Sequence, residues 1–305
     1  MREALSALRF HIVAIAACAT LVFGMLFRGT LFVPLALVCG LDWCLVNLLN
    51  RATDVDEDRL NGIMATELVA KHAKLIVWLS LFVLLSSLVV GFFVTTKELA
   101  MVRVLFHALG LGYSFRYVPT FGAKRGAAPK SSRSFVRFKD LYAAKNGVSA
   151  FMFVLSVGAY PLLAEGPPRT MSLPAIAVLM GFFFLFEQSF EVLYDLRDIE
   201  GDTAVDVPTY PVVHGVRTAG HIVVALCVVP IAILVVGKLT HVLTMREALM
   251  AAAPLGMLVF LRQRGPSNVS RADCIGVTYA GAALLVVYLV GTTLWARAGL
   301  PADFF

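Results

Sequence analysis

This sequence predicts an all-α polytopic membrane protein, on three observations. Mean hydropathy is +0.82, and 59% of residues are hydrophobic, against the ~45–50% of an ordinary soluble domain. Only 15% are charged. Apolar runs long enough to cross a bilayer, about 20 residues each, recur along the whole chain.

Taken in order, the first run covers 8–27, with Arg2 and Arg9 at its start and Arg28 just after it. Its basic flank resembles a secretory signal, but no small-residue cleavage site follows, so it is read as a membrane helix. The second, 30–50, carries Asp42 and ends in the acidic stretch NRATDVDED. The third, 73–95, has one charge, Lys74 at its start; the fourth, 98–115, carries Arg103 and His107. The fifth and sixth, 141–163 and 173–194, hold Pro161 and Pro174, and the sixth also holds Glu187 and Glu191. The last three cover 219–237, 244–262 and 274–296, with Pro230 and Pro254; membrane helices tolerate such prolines. The expectation is nine transmembrane helices around a central cavity, forming two four-helix halves plus a ninth helix, as one domain over 1–305. Cys18, Cys39, Cys44, Cys227 and Cys274 lie in or beside apolar runs, match no metal spacing, and read as small apolar residues.

Charge distribution sets the expected orientation. With nine spans, 19 of the 26 Lys and Arg residues fall on the N-terminal side. The positive-inside rule then places the N-terminus and its loops in the cytoplasm and the C-terminus opposite. Within the cell, the inner membrane is the expected site. The net charge of +6 is thus mostly a topology signal, and nucleic-acid binding is excluded as its explanation. The basic segment 116–140 is read as an anchor near anionic headgroups, ahead of a lid over an anionic ligand.

Two cytoplasmic loops are acidic instead. NLLNRATDVDEDRLNG at 47–62 and FEVLYDLRDIEGDTAVDVPTYPVVHG at 190–215 align with a shift of 144 residues, so that Asp54 meets Asp198 and Asp58 meets Asp202. Of the 20 acids in the chain, 8 occupy these two short stretches at 50–58 and 195–202. If the second helix continues past the membrane surface, Asn50, Asp54 and Asp58 share one face. Asp195, Asp198 and Asp202 repeat the arrangement at spacings of three and four. Like charges so placed repel, and a hard cation with oxygen ligands offsets the cost; Mg²⁺ fits because it takes one or two carboxylates plus waters and phosphate oxygens. Asp56 and Glu57 point elsewhere on such a helix, to solvent.

These stretches resemble the Asn-x-x-x-Asp-x-x-x-Asp and Asp-x-x-Asp-x-x-x-Asp motifs of the UbiA superfamily of intramembrane prenyltransferases. Thr209-Tyr210-Pro211, Tyr113-Ser114 and Lys145-Asn146 are similar to the family's Thr-x-Pro, Tyr-Ser and Lys-Asn. The resemblance covers essentially the whole chain. It implies a cavity in which Asn50, Asp54, Asp58, Asp195, Asp198 and Asp202 hold Mg²⁺ and the diphosphate of a polyprenyl donor. It also implies that Lys145, with Arg137 and Lys139, meets the diphosphate, and that Tyr113 lies beside the nascent carbocation, where an aromatic face stabilises positive charge. The partner substrate is a lipophilic, aromatic acceptor, approached by Glu191 and Arg9; membrane lipids surround the whole. The family's Arg-Pro pair after the first motif is missing, since the run here is Asn61-Gly62-Ile63-Met64; Arg59, Lys71 and Lys74 are the candidate replacements.

Charges inside spans are functional candidates by default. A structural bond is the preferred reading for Asp42, with Arg103 or His107 as its partner. Phe182–Phe186 reads as packing surface with some rings available to a prenyl tunnel. The expected reaction is Mg²⁺-dependent prenyl transfer. Rivals are a terpene cyclase, a polyprenyl-phosphate phosphoribosyltransferase and, in another class, a cation-coupled transporter. A transporter needs polar residues threading the midplane toward both faces, whereas the acids here cluster at cytoplasmic ends.

Overall fold

The computed structural model describes residues 2–119, 135–142 and 144–299. Most of the basic segment, 120–134, lies outside the described residues. The protein is all-α, 82% helical, with one two-residue antiparallel bridge between β1 (Val118–Pro119) and β2 (Phe135–Val136).

In chain order the helices are α1 Arg2–Ala7, α2 Phe10–Arg28, α3 Val33–Thr53, α4 Val55–Leu60, α5 Thr66–Val94 and α6 Lys97–Ser114. After β2 and a 3₁₀ turn at Phe138–Asp140, α7 (Ala144–Val154) runs through a π-helical turn at Leu155–Ala159 into α8 (Tyr160–Leu163). Then follow α9 Leu173–Arg197, α10 Ile199–Ala204, α11 Tyr210–Leu239, α12 Met245–Ala248, α13 Ala252–Arg264 and α14 Arg271–Arg297. Local chemistry sets many ends. Ser172 accepts from the Ala175 N–H ahead of Pro174, Thr96 accepts from Leu99, and Ser270 forms a capping box with Asp273.

Among the described residues seven helical segments are long and apolar enough to cross a membrane: α2, α3, α5, the α7–α8 segment, α9, α11 and α14. The chain is an integral membrane protein. The fourth apolar run folds as α6, which carries Lys97, Glu98 and Arg103. The eighth folds in pieces from α12 to α13, ending in Arg262 and Arg264. Apolar runs mark the lipid-crossing part of a helix but not its length, because polar turns extend beyond them. The third run thus grows to a helix of 29 residues starting at Thr66. The seventh starts at Tyr210 and kinks at Gly215, whose φ of 79° no L side chain adopts readily.

Helix α9 packs against α7, α11 and α14, while α2 packs against α3 and α14, and α3 against α5 and α6. Phe23, Phe27, Leu179, Phe182 and Leu193 fill the interior. Phe183 and Phe186 are also largely buried there. Trp78, Phe82 and Phe93 on α5 and Val287 on α14 stand outward, 66–84% exposed, as lipid-facing residues do. Asp42 on α3 accepts from Arg103 at 2.8 and 3.0 Å and from the Tyr160 hydroxyl at 2.9 Å, with His107 Nε2 at 3.0 Å. This cluster binds α3, α6 and α8 and is structural. All five cysteines are free.

Candidate active site

The two acidic loops fold alike. Helix α3 stops at Thr53, Asp54 takes a non-helical ψ of 26°, and the six-residue α4 follows. Helix α9 stops at Arg197, Asp198 takes ψ of 14°, and the six-residue α10 follows. The backbone bonds match as well. Asp58 N–H donates to Asp54 O at 2.8 Å and Asp202 N–H to Asp198 O at 2.9 Å; Ile63 N–H reaches Asp58 O as Val207 N–H reaches Asp202 O. The shift of 144 residues read from sequence is therefore a structural repeat at the motifs.

The expected continuous second helix is corrected: it breaks at Asp54. The break re-aims the next turn, so Glu57 faces inward, where Lys139 Nζ lies 2.6 Å from its carboxylate. The expectation that Glu57 is solvated is overturned, while Asp56 is exposed as expected.

A cavity of ≈ 150 Å³ collects Arg9, Asn50, Asp54, Asp58, Tyr113, Lys139, Lys145, Glu191, Asp195, Asp198 and Asp202. Helices α2, α3, α6, α7, α9 and α14 ring it, and α4 and α10 close its polar end. Of the residues singled out from sequence, Arg137 is not in the lining but donates to Asp54 at 2.8 Å. The 3₁₀ turn carrying Lys139 seats because Gly112 leaves room for Phe138; a Cβ at 112 would come within 2.5 Å of the ring.

Each motif acid has a cationic partner. Lys139 Nζ lies 2.7 Å from Asp54. Arg51 donates to Asp58 at 2.9 Å, and Arg9 approaches it at 3.4 Å. Lys145 spans Asp195 at 2.8 Å and Asp202 at 3.2 Å, while Asn146 donates to Asp195 at 2.9 Å. Arg197 pairs with Asp198 and stacks over Tyr194 at 4.7 Å. Among the described residues no three acidic, His or Cys side chains converge at metal-binding distance, since the cations stand between them. The donor set nevertheless fits a hard divalent ion. It is all oxygen, and Asn50 Oδ1 is buried with no hydrogen-bond partner. Burial pushes Asp54 above the usual carboxylate range, and pushes Asp202 up to about 6. Burial would raise Glu57 too, but the Lys139 ammonium holds it below its ordinary value.

Sequence reasoning missed Arg51, Glu57, Asn61 and Arg197. Arg51 and Arg197 each adjoin a motif residue, and charge counting treated them as topology signals. Of the candidate replacements for the Arg-Pro pair, Arg59 pairs outside with Glu67 and Asp56, and Lys71 and Lys74 are exposed. None lines the cavity.

The polar cavity adjoins an apolar groove of ≈ 440 Å³ along α9 and α14, sharing Ile15, Phe153, Glu187 and Phe190 with it. Phe182, Phe186, Leu284 and Trp295 line the remainder. Glu191 accepts from Ser149 at 2.6 Å near the junction.

The model of the UbiA prenyltransferase family matches residues 10–275. The chain belongs to that family. Solved UbiA structures share its fold. A UbiA homolog from Archaeoglobus fulgidus bound to GPP and Mg²⁺ has 16% identity and a TM-score of 0.67, covering 94% of this chain and 97% of that one. The same homolog bound to DMAPP and Mg²⁺ has 16% identity and a TM-score of 0.69, covering 93% and 96%. The apo UbiA homolog from Aeropyrum pernix K1 has 14% identity and a TM-score of 0.61, covering 94% and 98%. A comparison with curated proteins returned no match.

Proposed function

We propose that this UbiA-family protein is an Mg²⁺-dependent intramembrane prenyltransferase, moving a polyprenyl group from its diphosphate to a lipophilic, aromatic acceptor. The observation that carries the reading is the joining of two unlike spaces. A cavity with six motif residues and Lys139 and Lys145 adjoins an apolar groove, with four lining residues in common. An amphiphile with an anionic head and an isoprenoid tail has that division of chemistry. The Archaeoglobus fulgidus homolog with GPP and Mg²⁺ bound supports it. In this reading α6 and the α12–α13 segment complete nine spans, as two four-helix halves and a ninth helix, in the cell inner membrane. The motif loops then lie in the cytoplasm.

Asn50, Asp54, Asp58, Asp195, Asp198 and Asp202 would hold the metal. When bound, Mg²⁺ neutralises the charge developing on the leaving diphosphate. Lys145, Lys139 and Arg137 turn from the acids to phosphate oxygens. The allylic C–O bond then breaks heterolytically, diphosphate leaves with the electron pair, and Tyr113 faces the allylic cation. Surrounding apolar residues keep water from quenching it. The acceptor's electron pair forms the new bond to the allylic carbon, and the proton it loses passes to Glu191. Arg9, at the same wall, orients the acceptor.

The test is diphosphate release from a labelled prenyl diphosphate by the purified protein, with and without Mg²⁺ and candidate acceptors. Release that needs both supports transfer. Acceptor-independent release with a hydrocarbon product makes the protein a cyclase instead. Asp54→Asn and Asp198→Asn should each abolish turnover in folded protein, and near-normal turnover in both removes the metal assignment.

A further inference from the structure

We propose that Asn61 is a positioning residue, clasping the two acidic loops at the separation the diphosphate site requires. The proposal rests on the metal–diphosphate reading above. Asn61 closes α4, its own N–H bonded to Glu57 O at 3.0 Å. Its side chain crosses to the other loop, where Oδ1 accepts from the Gly201 N–H at 3.0 Å. That N–H lies in the first turn of α10, where helix donors have no partner of their own. The first loop thus satisfies the second.

The contact leaves no slack. A Cβ at 201 would lie 2.1 Å from Asn61 Oδ1, 2.4 Å from its Cγ and 2.5 Å from its Nδ2. Glycine at 201 is therefore dictated by the amide opposite. The repeat does not account for this pair. Under the 144-residue shift Asn61 corresponds to Val205, which has no amide, and Gly201 to Glu57. The clasp is one-sided and sits between the ligand sets: Asp58 is three residues before Asn61, while Asp198 and Asp202 flank Gly201. Asn61 also lines the cavity. Arg271 of α14 donates to the next carbonyl, Gly62 O, at 2.5 Å, tying the same turn to the bundle. Sequence comparison marks this place only by the missing Arg-Pro pair. The structure fills it with a bond between loops, not with a cation for phosphate.

Full-length protein in detergent carries the test, with Asn61→Ala, Gly201→Ala and the double variant. Three quantities are measured: the unfolding midpoint without ligand, hydrogen exchange over 199–204, and the affinity for Mn²⁺ with inorganic diphosphate. Asn61→Ala should speed exchange in that segment and weaken binding on the order of 10-fold, the scale of groups that orient metal ligands, with the ligand-free midpoint little changed. Gly201→Ala should weaken binding further. In the Asn61→Ala background the added methyl meets no amide, so its effect should largely vanish, a non-additivity that generic destabilisation does not give. Wild-type and Asn61→Ala protein binding within twofold of each other, or strictly additive effects, overturns the clasp. Wild-type protein indifferent to Mn²⁺ and diphosphate overturns the site reading and the clasp with it.

Discussion

Asp202 carries a proton cost that the protein accepts in order to keep its site. Burial lifts it from an aspartate's usual 3.8 to about 6 even with Lys145 beside it. A raised carboxylate is protonated in the folded chain and ionised in the unfolded one between those values. Stability from this group is therefore fully present below about pH 4 and lost as pH rises through about 6, on the order of 3 kcal/mol. Asp202→Asn mimics the protonated acid. It should raise the unfolding midpoint of metal-free protein above pH 6 and be neutral below pH 4; a fall at every pH would refute the assignment. At this scale the sequence was most legible where spacing repeats: Asp54, Asp58, Asp198 and Asp202 all reach the cavity wall. Glu57 was misread because its direction depends on one backbone angle at Asp54, which spacing does not encode. Asn61 was invisible because its partner lies 140 residues away.

Short elements beyond the membrane depend on single buried side chains. Arg51 is fully buried and donates to Asp58, to the carbonyls of Ser6 and Met64, and to the Thr66 hydroxyl. It thereby joins α1, α3, α4 and α5. Arg51→Ala leaves the buried Asp58 with only the longer contact to Arg9 and should cost on the order of 3 kcal/mol, read as a lower midpoint in thermal unfolding. Arg51→Lys should recover little, because one ammonium cannot reach four acceptors. The helices themselves were legible as apolar runs, and their ends less so. The polar opening of α5 at Thr66 is held by the Arg51 guanidinium and by a bond to Ile63 O, contacts that an apolar run beginning at 73 does not encode.

For the whole molecule, helices ring the polar cavity, and among the described residues seven of the nine expected spans are helical segments of crossing length. The groove was only partly legible, through its phenylalanines. Its far wall is α14, where Leu284, Tyr288 and Trp295 alternate with Gly281 and Gly291, and a hydropathy profile does not distinguish large from small apolar residues. Gly291 lines that wall with nothing within 4 Å of a Cβ. Gly291→Phe should cut turnover of a geranylgeranyl donor at least about 10-fold while sparing a dimethylallyl donor; equal losses would place the tail elsewhere. One further consequence follows from the pairing of every motif carboxylate with a lysine or arginine. Such a site behaves as an ion exchanger loaded with its own counter-ions. On the proposed metal–diphosphate reading, an arriving divalent cation would evict an ammonium and an arriving diphosphate would recruit one, so each ligand would prepare the ground for the other. Mg²⁺ alone and diphosphate alone should each bind weakly and together bind strongly. In titration calorimetry, saturating either one should sharpen the affinity for its companion; independent constants would show that the exchanges are uncoupled.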